Sequence, residues 1–315
     1  MAEMLDQKAL KQVHHQVLDW YQREGRDLPW RHTRDGYPIL VAEVMLQQTQ
    51  VDRVVPKYGE FLEQYSTFEA LAEASRSDVI RIWSTLGYNR RAVRLHEVAR
   101  HVVNHCNGQL PRTTEALEKL PGIGRYTASA VACFAHGQDV AVIDTNICRV
   151  LGRVFYGISR AFMQQIEEIA SRILPIGQAW AWNQALMDVG AKVCRIAAPL
   201  CDSCPLHSWC QFSHDYSREH PALESETTKN TNLLQPFKES RRYYRGRIIE
   251  YLRGLNSGES VDIEELGHLV KPDFASSDTA WFQKLINVLE AEGLVKLSFS
   301  EQRDPQILIL VSLPD

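Results

Sequence analysis

Apolar residues recur at helical spacing through most of the first two hundred positions. Leu10, Val13, Val17 and Tyr21 fall three or four apart, which predicts an amphipathic helix over residues 4–23. Ile39, Val41, Val44 and Met45 mark a second helix beginning near Pro38, a residue suited to a first helical turn. From residue 59 to 107 the pattern breaks into short helices with small connectors: FEALAEA, SDVIRIWSTLG and NRRAVRLHEVARHVVNHC. Leu117 to Val154 reads as helix, tight turn, helix, short loop and helix, and two more helices fit 161–193. No convincing period-two alternation occurs before residue 215, so this part is expected to be all-α.

The pattern then changes. Residues 213–237 are polar, rich in Ser, Thr, Asn and Glu, and lack periodicity, which predicts a linker. Beyond it, RRYYRGRIIEYLRGL carries Ile248, Ile249, Leu252 and Leu255 on a helix. SVDIEELGHLV and DTAWFQKLINVLEAEGLVKLSF follow, then QILILVSL. Three helices, the last followed by Gly293 and two short β-like runs, predict a small winged-helix-like α+β domain. The expected domains are 1–212, a linker at 213–237, and 238–315. In a winged helix the third helix often enters the major groove. Here that helix carries Lys284 but also Glu290 and Glu292, a poor recognition face. The cluster Arg241, Arg242, Arg245 and Arg247 with Tyr243 and Tyr244 suits phosphate contact better. A helix start packed on the larger domain, or a protein-binding module, explains it equally well.

Composition narrows the class. The chain has 315 residues, 44% hydrophobic, enough for two or three domains with real cores. Its net charge is −4, so any DNA surface must be a local patch. No apolar run approaches the ~18 residues of a membrane span, and the start is a charged amphipathic helix rather than a signal peptide. A cytosolic, reducing setting is expected, and the seven cysteines are poor disulfide candidates there.

Candidate chemistry begins at LPGIGRYT. Gly122, Ile123 and Gly124 precede a helix whose first-turn N–H groups sit at the positive end of its dipole, an arrangement that holds a phosphate. Alone, the motif is equally an ordinary turn. Asp144, about twenty residues on, starts another helix and alone reads as its N-cap. Glu43 interrupts a largely apolar helix; such a lone Glu usually sits at a surface edge. If buried, desolvation would raise its pKa and make it a general acid near neutral pH. Gln47, Gln48, Thr49 and Gln50 form a polar uncharged cluster that could read base edges or could be a solvated helix end. Arg90, Arg91 and Arg94 suit phosphate contact or a solvated face. Cys194, Cys201, Cys204 and Cys210 form C-x6-C-x2-C-x5-C, which suits a [4Fe–4S] cluster, with tetrahedral zinc as the alternative. Cys106, Cys133 and Cys148 read as buried thiols.

RDLPWR, AEVMLQQTQV, LGYNRRA, LPGIGRYTA, VIDTN, WNQALMDVGA and the four-cysteine loop occur in this order between Arg26 and Cys210. Over these roughly 185 residues the chain resembles the helix-hairpin-helix DNA glycosylase superfamily that includes endonuclease III. Within it, the chain looks most like the MutY-type adenine DNA glycosylases. The resemblance implies a mainly α, two-lobe fold with an inner lobe from about 30 to 135 and the second lobe joining the N-terminal helix to 136–210. It also implies a [4Fe–4S] cluster on the four cysteines, with a structural and DNA-contacting role. The expected partner is double-stranded DNA with a mispaired or damaged base, flipped into a pocket. The expected protein is a monomer, cytoplasmic and associated with the nucleoid.

The resemblance assigns Glu43 to protonate the departing adenine and Asp144 to stabilise the oxocarbenium-like sugar, a two-carboxylate logic like that of glycosidases. Tyr126 and Asn146 would support that site. Arg26, Leu28, Trp30, Arg31, Leu46 and Asp188 would line the adenine pocket. Gln48, Thr49, Leu86 and Tyr88 would contact the opposite base, 8-oxoguanine or guanine. Gly122, Ile123 and Gly124 would present backbone to phosphate. Tyr126 stands where lyase-type relatives carry an imine-forming lysine, so a monofunctional glycosylase is expected. Two departures stand out. Asn89 replaces the tyrosine of many members, and thymine-removing and lyase-type relatives often carry Asn here. The usual pyrophosphohydrolase-like C-terminal domain is not found. Two other readings therefore accompany adenine excision: a thymine or uracil mismatch glycosylase acting opposite guanine, and a non-catalytic iron–sulfur DNA-binding regulator.

Overall fold

Short polar side chains set many of the helix starts. Asp6, Thr67, Ser75, Thr113, Asp144, Ser240 and Asp262 each accept a first-turn backbone N–H. The computed structural model describes residues 6–158, 161–213, 237–301 and 307–315. Most of the expected linker, 214–236, lies outside the described residues. The helices are α1 (Gln7–Glu24), α2 (Gly36–Leu46), α3 (Val51–Gln64), α4 (Phe68–Glu73), α5 (Arg76–Ile82), α6 (Arg90–His105), α7 (Thr114–Leu117), α8 (Arg125–Phe134), α9 (Thr145–Tyr156), α10 (Met163–Arg172) and α11 (Ala179–Asp188). The all-α expectation for this part holds among the described residues. A π-helical turn, Val189–Val193, carries the chain from α11 to the cysteine loop.

Two compact units emerge. The first comprises Met1–Leu40, Pro111–Lys119 and Ile123–Lys229. In it α1 packs on α11 through Val13, Val17 and Trp20. Helix α8 is buried from Thr127 to Phe134 and packs on α7 and α11. That burial explains a difference from the expected lobes. The hairpin helices α7 and α8 belong with α1 and α11, and only the turn Leu120–Gly122 groups with the second unit.

The second unit comprises Val41–Leu110, Leu120–Gly122 and Asn230–Asp315. Helices α4 and α5 lie on α6, and Phe61 meets the faces of Trp83 and Tyr65 edge-on. The C-terminal part contributes α12 (Arg241–Gly254), β1 (Val261–Asp262), α13 (Ile263–Val270), α14 (Thr279–Ala291), β2 (Lys296–Glu301) and β3 (Ile307–Ser312). The antiparallel sheet runs β1-β3-β2, with Val261 opposite Val311 and Phe299 opposite Ile309. This is the element order of a winged helix; the two-residue β1 was not visible in the sequence pattern. Ile248, Ile249, Leu252, Ile286 and Leu289 share one buried cluster with Ile80 of α5 and Val93 of α6. The C-terminal module is thus packed on the α5–α6 pair.

Candidate active site

Asp144 is the N-cap of α9. Its Oδ1 accepts the Ile147 N–H at 2.7 Å and its Oδ2 accepts Asn146 Nδ2 at 2.8 Å. The N-cap reading of this residue holds: one oxygen serves the helix, and the other is oriented by an amide. Burial pushes the Asp144 carboxyl above the ordinary carboxylate range, opposed by the bonds from Ile147 and Asn146. Asn146 is itself fixed. Its Oδ1 accepts Arg149 Nη2 at 2.8 Å, and the same guanidinium donates to Gly190 O at 2.7 Å and Cys194 O at 2.7 Å. A Cβ at Gly190 would lie 2.5 Å from Asn146 Cβ, so this close approach requires glycine.

Tyr126 lies half-buried in the first turn of α8. With Ser129, Ile143 and Glu167 it lines a cavity of about 560 Å³ in the first unit, beside the irregular segment that leads to Asp144. Gly124 starts α8 with no side-chain cap, and a Cβ there would meet open space. Gly122 has φ +73°, and a Cβ would come within 3.0 Å of Arg94 Cδ. Ile123 between them is buried. With glycine as its N-cap, the first turn of α8 has no side-chain cap.

Glu43 is 3% exposed, flanked by fully buried Ala42 and by Val44 on α2. This settles its placement in favour of burial over a surface edge. It belongs to the second unit, as does Leu46 at the end of the helix.

The RDLPWR segment is tied to the end of α11. Fully buried Asp188 accepts Arg26 N at 2.8 Å and Arg26 Nε at 2.6 Å through its two oxygens, and Arg31 Nη1 and Nη2 at 2.8 and 2.9 Å. Burial alone would raise the Asp188 carboxyl; the hydrogen bonds and charges of Arg31 and Arg26 outweigh it and hold the carboxyl below its usual value. Leu28 and Trp30 are buried within the same segment. Four of the assigned pocket residues and Asp188 therefore share one rigid corner of the first unit, with Asp188 as anchor.

The residues assigned to the opposite base converge on a group that sequence reasoning placed on a basic surface. Arg91 is buried, 6% exposed. Its Nη1 donates to the carbonyls of Val44, Met45 and Gln47 at 2.9, 2.7 and 2.6 Å. Its Nη2 donates to Thr49 Oγ1 at 2.9 Å, Leu86 O at 3.3 Å and Gly87 O at 3.1 Å. Burial lowers Arg91 to about 10, so it stays charged at neutral pH. This one guanidinium joins the 44–49 and 86–88 loops. Gln48, Thr85 and Tyr88 take left-handed φ values of 56°, 72° and 46°, which non-glycine residues adopt at a cost of ~1 kcal/mol or more. The Tyr88 ring is exposed above Arg91. Arg91 is the second residue of α6, and nothing in the sequence sets it apart from Arg90 and Arg94.

Cys194, Cys201, Cys204 and Cys210 line a single cavity with Arg153, His207, Ser213 and apolar residues such as Val150. Burial pushes Cys204 up to about 12 and Cys210 to about 11, and the neighbouring cysteines add to the rise. Four sulfurs around one cavity, with Arg153 Nη1 3.4 Å from Cys194 Sγ, form a donor set suited to a thiolate-ligated group. Among the described residues, no three His, Cys, Asp or Glu side chains form a group for a single metal ion.

Among the described residues no helix is long and apolar enough to cross a membrane. The model of the HhH-GPD superfamily base excision DNA repair proteins matches residues 41–175. An adenine DNA glycosylase of Mycobacterium tuberculosis (strain CDC 1551 / Oshkosh) is 39% identical over 287 residues, covering 89% of this chain and 88% of that protein. That span is too long to end before the C-terminal module. The adenine DNA glycosylase of Homo sapiens is 43% identical over 216 residues, 64% of this chain and 40% of that protein. A solved structure of a thermostable thymine-DNA glycosylase superposes with a TM-score of 0.61 at 33% identity, covering 65% of this chain and 98% of that one. With such likeness across nearly the whole of both chains, the protein belongs to the adenine DNA glycosylase family, within the helix-hairpin-helix superfamily of base excision repair.

Proposed function

We propose that the protein hydrolyses the N-glycosidic bond of adenine mispaired with 8-oxoguanine or guanine in duplex DNA and leaves the strand intact. The observation that carries this reading is the Asp144 arrangement: a carboxylate fixed by Ile147 and Asn146 beside a cavity lined by Tyr126, a residue that cannot form an imine. The flipped adenine is received by Leu28, Trp30 and the Arg26–Asp188–Arg31 corner of the first unit, and Leu46 of the second unit contacts the same base. Glu43 delivers its proton to the base as the bond between the anomeric carbon and the base nitrogen breaks, so the electron pair leaves on a neutral adenine. Asp144 stabilises the positive sugar, through a transient bond to the anomeric carbon that water then replaces. Gln48, Thr49, Leu86 and Tyr88 read the opposite base, and the α8 start holds a backbone phosphate. Cys194, Cys201, Cys204 and Cys210 hold a [4Fe–4S] cluster. That group ties the cysteine loop together and sits outside bond cleavage. The enzyme acts as a monomer on cytoplasmic, nucleoid DNA.

Removal of thymine or uracil opposite guanine is the second reading, favoured by the likeness to the thymine-DNA glycosylase structure. Mass spectrometry of the base released from A:8-oxoG and T:G duplexes separates the two. Adenine release, lost in Glu43→Gln and Asp144→Asn with duplex binding retained, supports the proposal. Thymine release from T:G alone overturns it.

A further inference from the structure

The second unit contains a groove of about 670 Å³ at the contact between the C-terminal module and the α6 start. One side is the two loops bearing Gln48 and Tyr88; the other is the first half of α12. Six arginines line it, Arg53, Arg90, Arg91, Arg94, Arg242 and Arg245, against one carboxylate, Glu292. In a chain of net charge −4 this is a local reversal of sign. Arg91 is consumed inside the loops, Arg245 is hydrogen-bonded to Glu292, and Arg90 Nη1 lies 4.0 Å from the same carboxylate on a side chain still 54% exposed. Arg53, Arg90, Arg94 and Arg242 are exposed, and the Arg242 guanidinium lies 4.4 Å from the centre of the Tyr88 ring.

The module is held at this place by specific contacts. Arg253 Nη2 donates to Asn89 Oδ1 at 2.8 Å and its Nε to Ile80 O at 2.9 Å, while Arg81 donates to Arg253 O. Ile80 and Val93 enter the module's own core. Asn89 is thus engaged by the C-terminal module.

We propose that the C-terminal module completes a backbone-binding groove for the DNA strand that carries the base opposite the excised one, with Arg242 and Arg90 gripping phosphates from its two sides. This rests on the glycosylase reading, because Tyr88 and Gln48 fix which strand passes there. Charge sign, exposed guanidinium groups and an aromatic wall fit a phosphodiester backbone and no neutral or cationic ligand. The stack of Arg242 on Tyr88 couples the module to the residue that meets the opposite base.

The test is the salt dependence of duplex affinity, measured by fluorescence anisotropy with the full-length protein on A:8-oxoG and matched duplexes. Arg242→Gln and Arg90→Gln should each weaken binding to every duplex and reduce the log–log salt slope by about 1, and the double variant by about 2. Arg247→Ala on the same helix is the control: the sequence groups Arg247 with Arg242 for phosphate contact, but the structure leaves it out of the groove. Its guanidinium packs near Tyr243 and bonds Leu269 O outside the groove, so it should bind as wild type. An unchanged slope in Arg242→Gln, or an equal loss in Arg247→Ala, overturns the proposal. Failure of the wild type to release adenine would instead overturn the glycosylase reading, and the slope comparison on matched duplex would still decide the groove.

Discussion

Replacing Asp188 by asparagine should be among the most damaging single changes in the first unit. The carboxylate is fully buried and receives four hydrogen bonds, three of them from guanidinium groups. Arg31 is 5% exposed at its side chain, so it cannot turn to water. Asparagine keeps the shape but removes the charge and turns one acceptor into a donor facing two donors. Breaking one partner of a buried ion pair costs about 3–5 kcal/mol. Against a typical stability of ~5–15 kcal/mol this is about a fifth or more. At ~2–4 °C per kcal/mol for a unit of this size, Tm should fall by ~6–20 °C. Urea and thermal denaturation followed by far-UV circular dichroism measure it. The paired change Asp188→Leu with Arg31→Met should recover much of the loss, because an apolar replacement of both partners is often neutral. A drop below ~1 kcal/mol in Asp188→Asn would refute the reasoning. The sign with pH follows from the depressed carboxyl. Its contribution is complete above the unfolded value of ~3.9 and is lost as pH falls through the lower folded value, so the gap between wild type and variant should close in acid.

Arg91→Met should destabilise by about 3 kcal/mol by stranding buried carbonyls of the 44–49 and 86–88 loops. Arg91→Lys should recover little of it, since three donors on a point charge cannot serve six acceptors; equal stability of the lysine variant, read by urea denaturation, would contradict this. Gly190→Ala pushes on Asn146 and should lower the single-turnover excision rate by about 100-fold with duplex affinity kept; an unchanged rate would show that Asn146 does not position Asp144. Cys204→Ala should lower folded yield and DNA affinity, while the folded, bound fraction cleaves at the wild-type single-turnover rate; a folded, tightly binding variant that fails to cleave would place the cysteine loop in the chemistry.

Helix positions were legible because each apolar stripe sits on one face, but Glu43 read as a surface-edge residue, whereas its helix is apolar on all sides and buries it. The Asp188 clamp was not legible: its partners are 157 and 162 residues away, and no local pattern links them. Arg91 resembled its solvated neighbours Arg90 and Arg94, since a basic triplet does not reveal which member turns inward. Asn89 read as a signal about the excised base, whereas in the folded chain its side chain accepts a bond from Arg253. The two-residue β1 is too short for alternation to register, and only pairing with β3 defines it.

The central claim is most directly tested by single-turnover cleavage of labelled duplexes carrying A:8-oxoG, A:G, T:G, U:G or matched A:T, with and without alkali. Strand breaks at A:8-oxoG and A:G that appear only after alkali are the expected result, marking an adenine glycosylase without lyase action. Release confined to T:G or U:G would contradict the account and establish the pyrimidine-mismatch reading in its place.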